Sequence, residues 1–542
     1  MIKVENQILE ISISDFTRQK TIERIERLID PLIVAGASLF SIAAYFVFLI
    51  NGLGLAYNDA RSHLDIARRV VEGLKPGLAQ LGSVWLPLPH FLMIPLVVNE
   101  TFWHTGFAGA IVSMISYVLT VFFLVKILKL LNIGSLGRIT AATIFVLNLN
   151  ALYLQSTAMT ELLLIATMTA GTYYLVKWAQ NHHLGTLIAA AAAIFASTLV
   201  RYDGWFLLAI SAPIVGIISW QKLGKRSTEG MIIFFLTLAG FGIVLWFLWN
   251  ALIFNDPLYF AFGPYSARAQ QAQVEAAGQL ITKGHLLISL KTYWYALTYN
   301  IGLLSLIIGA VGTVIAYLNF RKNWPVLLAL STLFAPIVFN VIALYFGHSI
   351  LFVPPIAGDT WFNVRYGIIG LPAAALFIGI LVDKLPDLRW VIISLLIFVG
   401  IFSWANADAV TIDDAKVGAS QKNVSQVSNW LYAHAKDNHN EVLISAASHD
   451  AIIFSSGLPM KRFIHEGTGS YWESATRDPS HWVRYIVMRT NDVNDQTFEL
   501  LNNNPQLVDY DLVVKGDFAD IYELKEQYRN QLPQTPLAPL KK

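Results

Sequence analysis

Ionisable side chains interrupt the apolar stretches of this sequence at a few places, near the ends of the stretches. Asp59 follows the first apolar stretch, whereas Glu161 and Arg365 each begin a later one. Charges beside lipid are costly, so their positions are informative. A carboxylate there can accept a proton, and a cationic group can hold an anion such as a phosphate. The pattern predicts one polar cavity on one side of a membrane, ringed by Asp59, Arg61, His63, Glu161, Arg201, Asp203, His348 and Arg365.

Each of these residues also has a purely structural interpretation. Asp59 stands at the head of a predicted amphipathic helix, which we expect to lie along the bilayer surface, and could simply be its N-cap. Glu161 could complement a helix dipole, and Arg365 could extend from a helix end to the membrane interface. Arg201 and Asp203 could form a structural ion pair. Their shared location on one side of the membrane favours a functional cavity.

The composition is typical of a polytopic membrane protein. Hydrophobic residues make up 55% of the 542 residues and charged residues only 14%, with a mean hydropathy of +0.53. A net charge of +2 gives no argument for a nucleic-acid partner. The sequence has no cysteine, which excludes disulfides, thiolate chemistry and cysteine-ligated metals. The polar and charged start predicts no cleavable signal peptide ahead of the first apolar stretch.

Apolar stretches long enough to cross a bilayer, which takes ~20 residues, predict about eleven spans. They are residues 31–57, 105–131, 138–154, 160–178, 184–200, 204–220, 230–254, 294–318, 325–346, 366–382 and 388–405. Lysine and arginine gather in short loops on one side, which predicts a cytoplasmic N-terminus. An odd number of spans then places the C-terminal region outside.

The prediction is therefore a polytopic α-helical membrane protein with a C-terminal soluble α/β domain. Residues 1–30 form a cytoplasmic N-terminal segment, and residues 31–405 form the transmembrane domain. The transmembrane domain has a first outer loop at 57–104 and a long outer loop at 255–293 that could cover a ligand. Residues 406–542 alternate predicted strands and helices outside the membrane. The expected location is a prokaryotic plasma membrane.

Five motifs follow one another along the membrane region: Tyr57-Asn58-Asp59-Ala60-Arg61, Trp85-Leu86-Pro87-Leu88-Pro89-His90, Thr160-Glu161-Leu162, Arg201-Tyr202-Asp203-Gly204-Trp205, and Arg365-Tyr366 with Pro372. In their order and spacing they resemble the GT-C glycosyltransferases, which use polyprenyl-phosphate-linked sugars. The resemblance is strongest to the branch of protein O-mannosyltransferases and lipid A aminoarabinose transferases. The Trp-Trp-Asp-Tyr-Gly segment that typifies the oligosaccharyltransferase branch is absent from the sequence, and the membrane region 31–405 has no second Asp-x-Asp site.

The resemblance implies an inverting transfer at the outer face of the membrane. In that family the acid of the first outer loop is the catalytic base, here Asp59, and Glu161 is a second candidate catalytic residue. The leaving prenyl phosphate needs cations around it. The candidates for binding the donor phosphate are Arg61, His63, Arg201, His348 and Arg365. The candidates for binding substrate are Asn58, Trp85, His90, Tyr202, Asp203, Tyr265 and Tyr366.

The implied partners are a polyprenyl-phosphate sugar donor, membrane lipid, and an acceptor hydroxyl or amine on a protein, a lipid or a polysaccharide. No cofactor is predicted: a divalent metal is left open, but His90, Glu100 and His104 lack ligand spacing. The alternatives are a polytopic transporter or lipid-linked-sugar flippase with a glycan-binding tail, and a non-catalytic assembly protein. A transporter is expected to show internal repeats and broken helices near the midplane. Here no repeat is apparent, and the polar groups gather at the outer ends of spans.

Overall fold

The computed structural model describes residues 2–263, 266–418, 424–490, 492 and 495–540, and helices dominate its membrane part. The first part of the chain contains α1 (Ile2–Ile50), α2 (Asn58–Val71), α3 (Leu88–Val97), α4 (Glu100–His104), α5 (Phe107–Leu130), α6 (Ser135–Val146) and α7 (Leu149–Leu154). The middle part contains α8 (Glu161–Asn181), α9 (Leu184–Thr198), α10 (Asp203–Leu223), α11 (Lys225–Phe254), α12 (Tyr259–Phe262), α13 (Ala267–Ala276) and α14 (Leu286–Ile301).

The membrane part ends with five further helices and a short hairpin. The helices are α15 (Leu303–Phe320), α16 (Trp324–Ser331), α17 (Ala335–Tyr345), α18 (Leu371–Lys384) and α19 (Arg389–Ala405). Between α17 and α18, strands β1 (Phe352–Val353) and β2 (Ala357–Phe362) pair antiparallel. A 3₁₀ helix, Val364–Gly370, leads from this hairpin into α18.

Seven helical stretches in the described part of the chain are long and apolar enough to cross a membrane. They are Glu26–Ile50, Phe107–Leu130, Asp203–Lys222, Lys225–Phe254, Leu303–Tyr345, Val364–Lys384 and Arg389–Val417. The polytopic helical prediction is confirmed, whereas the count of eleven stays a prediction. The single helix expected at 294–318 is wrong: α14 ends at Ile301 and α15 begins at Leu303. Gly302 between them has φ +90°, a conformation that favours glycine.

The C-terminal region is the predicted mixture of helices and strands. It contains α20 (Val410–Val417), α21 (Ser425–Ala435), β3 (Glu441–Ile444), α22 (Ala446–Ser456), β4 (Phe463–Ile464), α23 (Ser470–Arg477), β5 (Val483–Met488), α24 (Gln496–Leu501), β6 (Tyr510–Val514) and β7 (Asp520–Leu524). The strands form one sheet in the order β4-β3-β5-β7-β6. Strand β3 runs parallel to β4 and β5, and β7 runs antiparallel to β5 and β6. The two-residue strand β4 was too short to be predicted.

Helix α2 lies at the junction of the membrane part and the C-terminal region. Leu64 and Ala67 on its apolar face are fully buried, as the helical spacing predicted, whereas Val71 at its end is 39% exposed. Its polar face is buried as well, because α22 packs over it: Arg69 forms an ion pair with Asp450 of α22 at 2.5 Å. The expectation of a helix with one face open at the bilayer surface is therefore wrong. The charges of its polar face meet a protein partner instead.

Candidate active site

One arginine joins two carboxylates that are far apart in sequence. Asp59 is the second residue of α2, Glu161 is the first residue of α8, and Arg365 lies in the 3₁₀ helix before α18. Arg365 Nη2 donates to Asp59 Oδ2 at 2.7 Å, and its Nε donates to Glu161 Oε1 at 3.1 Å. The side chains of Arg365 and Glu161 are 3% and 0% exposed. The ends of three elements thus converge on one buried ion-pair network.

Arg201 extends this network on the other side of Glu161. Its Nη1 donates to Glu161 Oε1 at 3.1 Å, and its Nε donates to Asp203 Oδ2 at 3.3 Å. Asn340 of α17 holds the other oxygen of Asp203 at 2.9 Å. Burial lowers the pKa of Arg201, but the carboxylates of Glu161 and Asp203 more than offset this, so its pKa is raised. Arg201 therefore stays charged, with a side chain that is 18% exposed.

Aromatic rings complete the walls around both guanidinium groups. The ring of Tyr366 lies 4.6 Å from the guanidinium of Arg201 and 5.4 Å from that of Arg365. The ring of Tyr57 lies 4.9 Å from Arg365, and its hydroxyl donates to Asp414 at 3.1 Å. Asp414 is also 3.6 Å from Arg365 Nη1. Such rings exclude water while they attract the cations.

Asp59 is the carboxylate of this network that a substrate can reach. Its side chain is 31% exposed, whereas those of Glu161 and Asp414 are fully buried and that of Asp203 is 4% exposed. The N-cap of α2 is Tyr57, and no side chain caps the helix there. The interpretation of Asp59 as only a helix cap is therefore wrong. Its carboxylate faces Arg365 and the cavity instead.

The network forms one wall of a cavity of about 690 Å³ between the membrane helices and the C-terminal region. Glu466 and Asp450 line it from the C-terminal region, and Tyr259 and Gln270 line it from the long loop. The cavity can therefore hold a ligand that is in contact with both parts of the molecule. The predicted site residues that line it are Asp59, His63, Trp85, Arg201, Tyr202, Asp203, His348, Arg365 and Tyr366.

Comparisons with known proteins bear on the fold. No protein-family model and no curated protein matches the sequence. Solved structures do match it. The Archaeoglobus fulgidus oligosaccharyltransferase in complex with Zn and sulfate is 10% identical with a TM-score of 0.50, covering 84% of this chain and 67% of that one. ArnT from Cupriavidus metallidurans in the apo state is 11% identical with a TM-score of 0.52, covering 91% of this chain and 99% of that one. The fold is that of the GT-C glycosyltransferases.

The predicted resemblance to this fold is thereby confirmed. The two neighbours have nearly equal TM-scores, so the structural similarity does not distinguish the oligosaccharyltransferase branch from the aminoarabinose transferase branch. At 10–11% identity, residue roles do not transfer from these neighbours. The roles of individual residues have to come from the geometry of the site itself.

Some of the site residues that were predicted from the sequence lie behind the cavity wall. Arg61 donates to the carbonyl oxygen of Leu55 at 3.0 Å and to Ser455 Oγ at 3.2 Å. Asn58 accepts from Arg61 at 3.4 Å and is not part of the cavity lining. His90 is fully buried behind His63. The structure thus does not bring Arg61, Asn58, Glu161 or His90 to the cavity surface, and Tyr265 lies outside the described residues.

The structure also adds residues that the sequence analysis did not assign to the site. Asn340 could have been found from sequence, since it is a polar residue within an apolar helix. Asp414 and Asp450 had none, because they lie in the polar C-terminal region, and only the fold brings them to the membrane part. Among the described residues, no group of three or more histidine, aspartate or glutamate side chains is arranged to hold a metal ion.

Proposed function

We propose that this chain is an integral-membrane glycosyltransferase that moves a sugar from a polyprenyl-phosphate-linked donor to an acceptor hydroxyl or amine. The acceptor is carried by a protein, a lipid or a polysaccharide. The observation that carries the proposal is Asp59, a reachable carboxylate in a cavity beside two arginines. The GT-C fold supports it, because the neighbours reported above include an oligosaccharyltransferase.

In this mechanism Asp59 is the general base. Arg365 binds Asp59 Oδ2, which leaves Oδ1 to take the proton of the acceptor hydroxyl. The acceptor oxygen attacks the anomeric carbon as the bond from that carbon to the phosphate oxygen breaks. The electron pair leaves with the prenyl phosphate, and the configuration at the anomeric carbon inverts. Arg365 thus orients the base, while its charge contributes to the positive field around the leaving group.

Arg201 is the arginine better placed to meet the donor phosphate directly. Its side chain is 18% exposed at the cavity, compared with 3% for Arg365. Both guanidinium groups already pair with carboxylates. A bound phosphate would therefore share each arginine with its carboxylate partner. Negative charge develops on the phosphate oxygen in the transition state. Preorganised donors of this kind stabilise the transition state more than they stabilise the ground state. This favours the transition state, which is what catalysis requires.

The experiment that tests the proposal follows both the lipid and the sugar. The purified protein is placed in liposomes with a polyprenyl-phosphate-linked sugar labelled in the sugar, together with a cell-envelope fraction as the acceptor. A glycosyltransferase releases prenyl phosphate as label appears on the acceptor. A flippase moves the labelled lipid across the bilayer with its linkage intact, and this second result would replace the proposal.

The proposed orientation puts the N-terminus in the cytoplasm and the chemistry on the outer face. Lys129 pairs with Asp30 at 2.7 Å, and Arg138 pairs with Glu26 at 2.6 Å, so these charges gather near the middle of α1, where its apolar stretch Glu26–Ile50 begins. Asp59 follows the other end of this stretch, whose 25 helical residues span about 37 Å. The basic end is expected to be cytoplasmic because lysine and arginine favour that side.

Reporters that work on only one side of the membrane test this orientation. A reporter fused after Lys225, at the end of α10 that lies away from Asp203, is expected to signal from the cytoplasm. A reporter fused at the C-terminus is expected to signal from outside. Equal signals from the two fusions would mean that the number of spans between them is even, contrary to the predicted topology.

A further inference from the structure

Two buried histidines stand one behind the other at the cavity wall. His63 lies one helical turn after Asp59 on α2, so the two side chains share a face of that helix. His63 lines the cavity, with its ring 4.4 Å from that of Trp85. Its Nδ1 is 2.9 Å from Nε2 of His90, which lies on α3 and is fully buried. Because Nδ1 is turned towards His90, Nε2 is the ring nitrogen that His63 offers to the cavity.

A single proton lies between these two rings, and its position decides what His63 offers. If His63 Nδ1 donates, the proton of His90 must sit on its Nδ1, which is buried with no hydrogen-bond partner in the described chain. If His90 Nε2 donates, that buried Nδ1 is only a lone pair, and the proton of His63 moves to Nε2. Buried N–H groups without an acceptor are rare in proteins. The second arrangement is therefore favoured.

The charges around the two rings agree with this arrangement. Burial, together with the positive charges of Arg365 and Arg201, lowers the pKa of His63 to about 3. His63 is therefore a neutral imidazole with one N–H. Burial and the positive charge of Arg69 lower the pKa of His90 as well.

We propose that His90 fixes His63 in the tautomer whose Nε2–H points into the cavity, and that this neutral N–H donates to an oxygen of the leaving prenyl phosphate. His63 transfers no proton; it stabilises charge as a hydrogen-bond donor, and His90 is a positioning residue. The identity of the phosphate rests on the proposed function, whereas the tautomer does not. A neutral donor adds a hydrogen bond at a point where Arg201 and Arg365 already share their charges with carboxylates.

The tautomer is tested by NMR of the protein labelled with ¹⁵N in its histidines, since ring nitrogens with and without a proton differ widely in chemical shift. His63→Gln and His90→Gln assign the signals by their disappearance. The expected result at neutral pH is a proton on Nε2 of both residues and a bare Nδ1 on His63. A proton on Nδ1 of His63, or protons on both of its nitrogens, would overturn the inference.

Binding of undecaprenyl phosphate in nanodiscs tests the recognition. His63→Phe keeps a ring beside Trp85 but removes the N–H, and we expect it to weaken binding about ten- to a hundredfold, as for a lost bond to a charged group. His90→Phe is expected to weaken binding less, because His63 can then change tautomer. His90→Gln is expected to restore affinity, since its amide can donate to His63 Nδ1. His183→Phe, at an exposed loop position, is the matched control.

The outcomes separate this inference from the proposed function. A His63→Phe protein with wild-type thermal stability and unchanged affinity would overturn the inference, even if the wild type transfers sugar. If His63→Phe loses affinity but the wild type transfers no sugar from any donor, the phosphate site is supported and the proposed function is wrong. Inorganic phosphate is expected not to compete at concentrations that match the lipid. Equal competition would mean that the site takes free phosphate, contrary to the inference.

Discussion

Asp59→Asn is expected to lower the rate of sugar transfer by about 10²–10⁴, the usual contribution of a general base. Asparagine has nearly the same size, and its amide oxygen can still accept a hydrogen bond from Arg365. It cannot take the proton of the acceptor. The rate is measured as release of prenyl phosphate from the lipid-linked sugar, and the affinity for undecaprenyl phosphate is expected to stay close to that of the wild type.

The matched control is Asp437→Asn, which neutralises an exposed aspartate of the C-terminal region. It is expected to transfer sugar at the wild-type rate. An Asp59→Asn protein that also keeps the wild-type rate would end the assignment of Asp59 as the base. Because Glu161 is fully buried and Asp203 nearly so, no other carboxylate of the network could then replace Asp59 without a rearrangement of the site.

The two arginines are expected to respond differently to substitution. Arg201→Ala should weaken binding of undecaprenyl phosphate about ten- to a hundredfold, because it removes an exposed charge-assisted donor. Arg365→Ala should instead destabilise the protein by ~3–5 kcal/mol, since it leaves a buried carboxylate without one of its partners. The measurements are lipid affinity for the first variant and chemical unfolding in detergent for the second.

Lysine variants show whether charge alone is sufficient. Arg201→Lys keeps the charge but loses the bidentate fork, so an intermediate loss of lipid affinity is expected. Arg226→Ala, at an exposed position on α11, is the control for removal of a positive charge. Unchanged lipid affinity in both Arg201→Ala and Arg365→Ala would mean that the phosphate is held elsewhere.

The site was predicted from the order of the motifs and from the charges next to lipid, which are costly and therefore often mark a functional site. Asp59, Arg201 and Arg365 were singled out from sequence and line the cavity, whereas their connection through Glu161 was not predicted. Arg61, a predicted candidate for binding the donor phosphate, is not part of the cavity lining, and helical spacing accounts for this. Arg61 is two residues from Asp59 on α2 and so points to another face, whereas His63 is four residues away and shares the face of Asp59.

The parts that could not be predicted depend on long-range packing. The amphipathic pattern of α2 shows that one face is polar, but not that this face is covered by protein. Only the folded C-terminal region brings Asp450 to Arg69. Asp414 likewise reaches Tyr57 across most of the chain length. The break between α14 and α15 was missed because the apolar stretch continues through Gly302, and hydropathy does not report a change of direction.

A structure of the protein with undecaprenyl phosphate bound tests the central claim most directly. The account predicts the phosphate in the cavity, within hydrogen-bond distance of Arg201 and of His63 Nε2, with the prenyl chain running out among the membrane helices. The space for the sugar should then open beside the carboxylate of Asp59. A phosphate bound at the other side of the membrane, beside Lys129 and Arg138 near the middle of α1, would contradict the account.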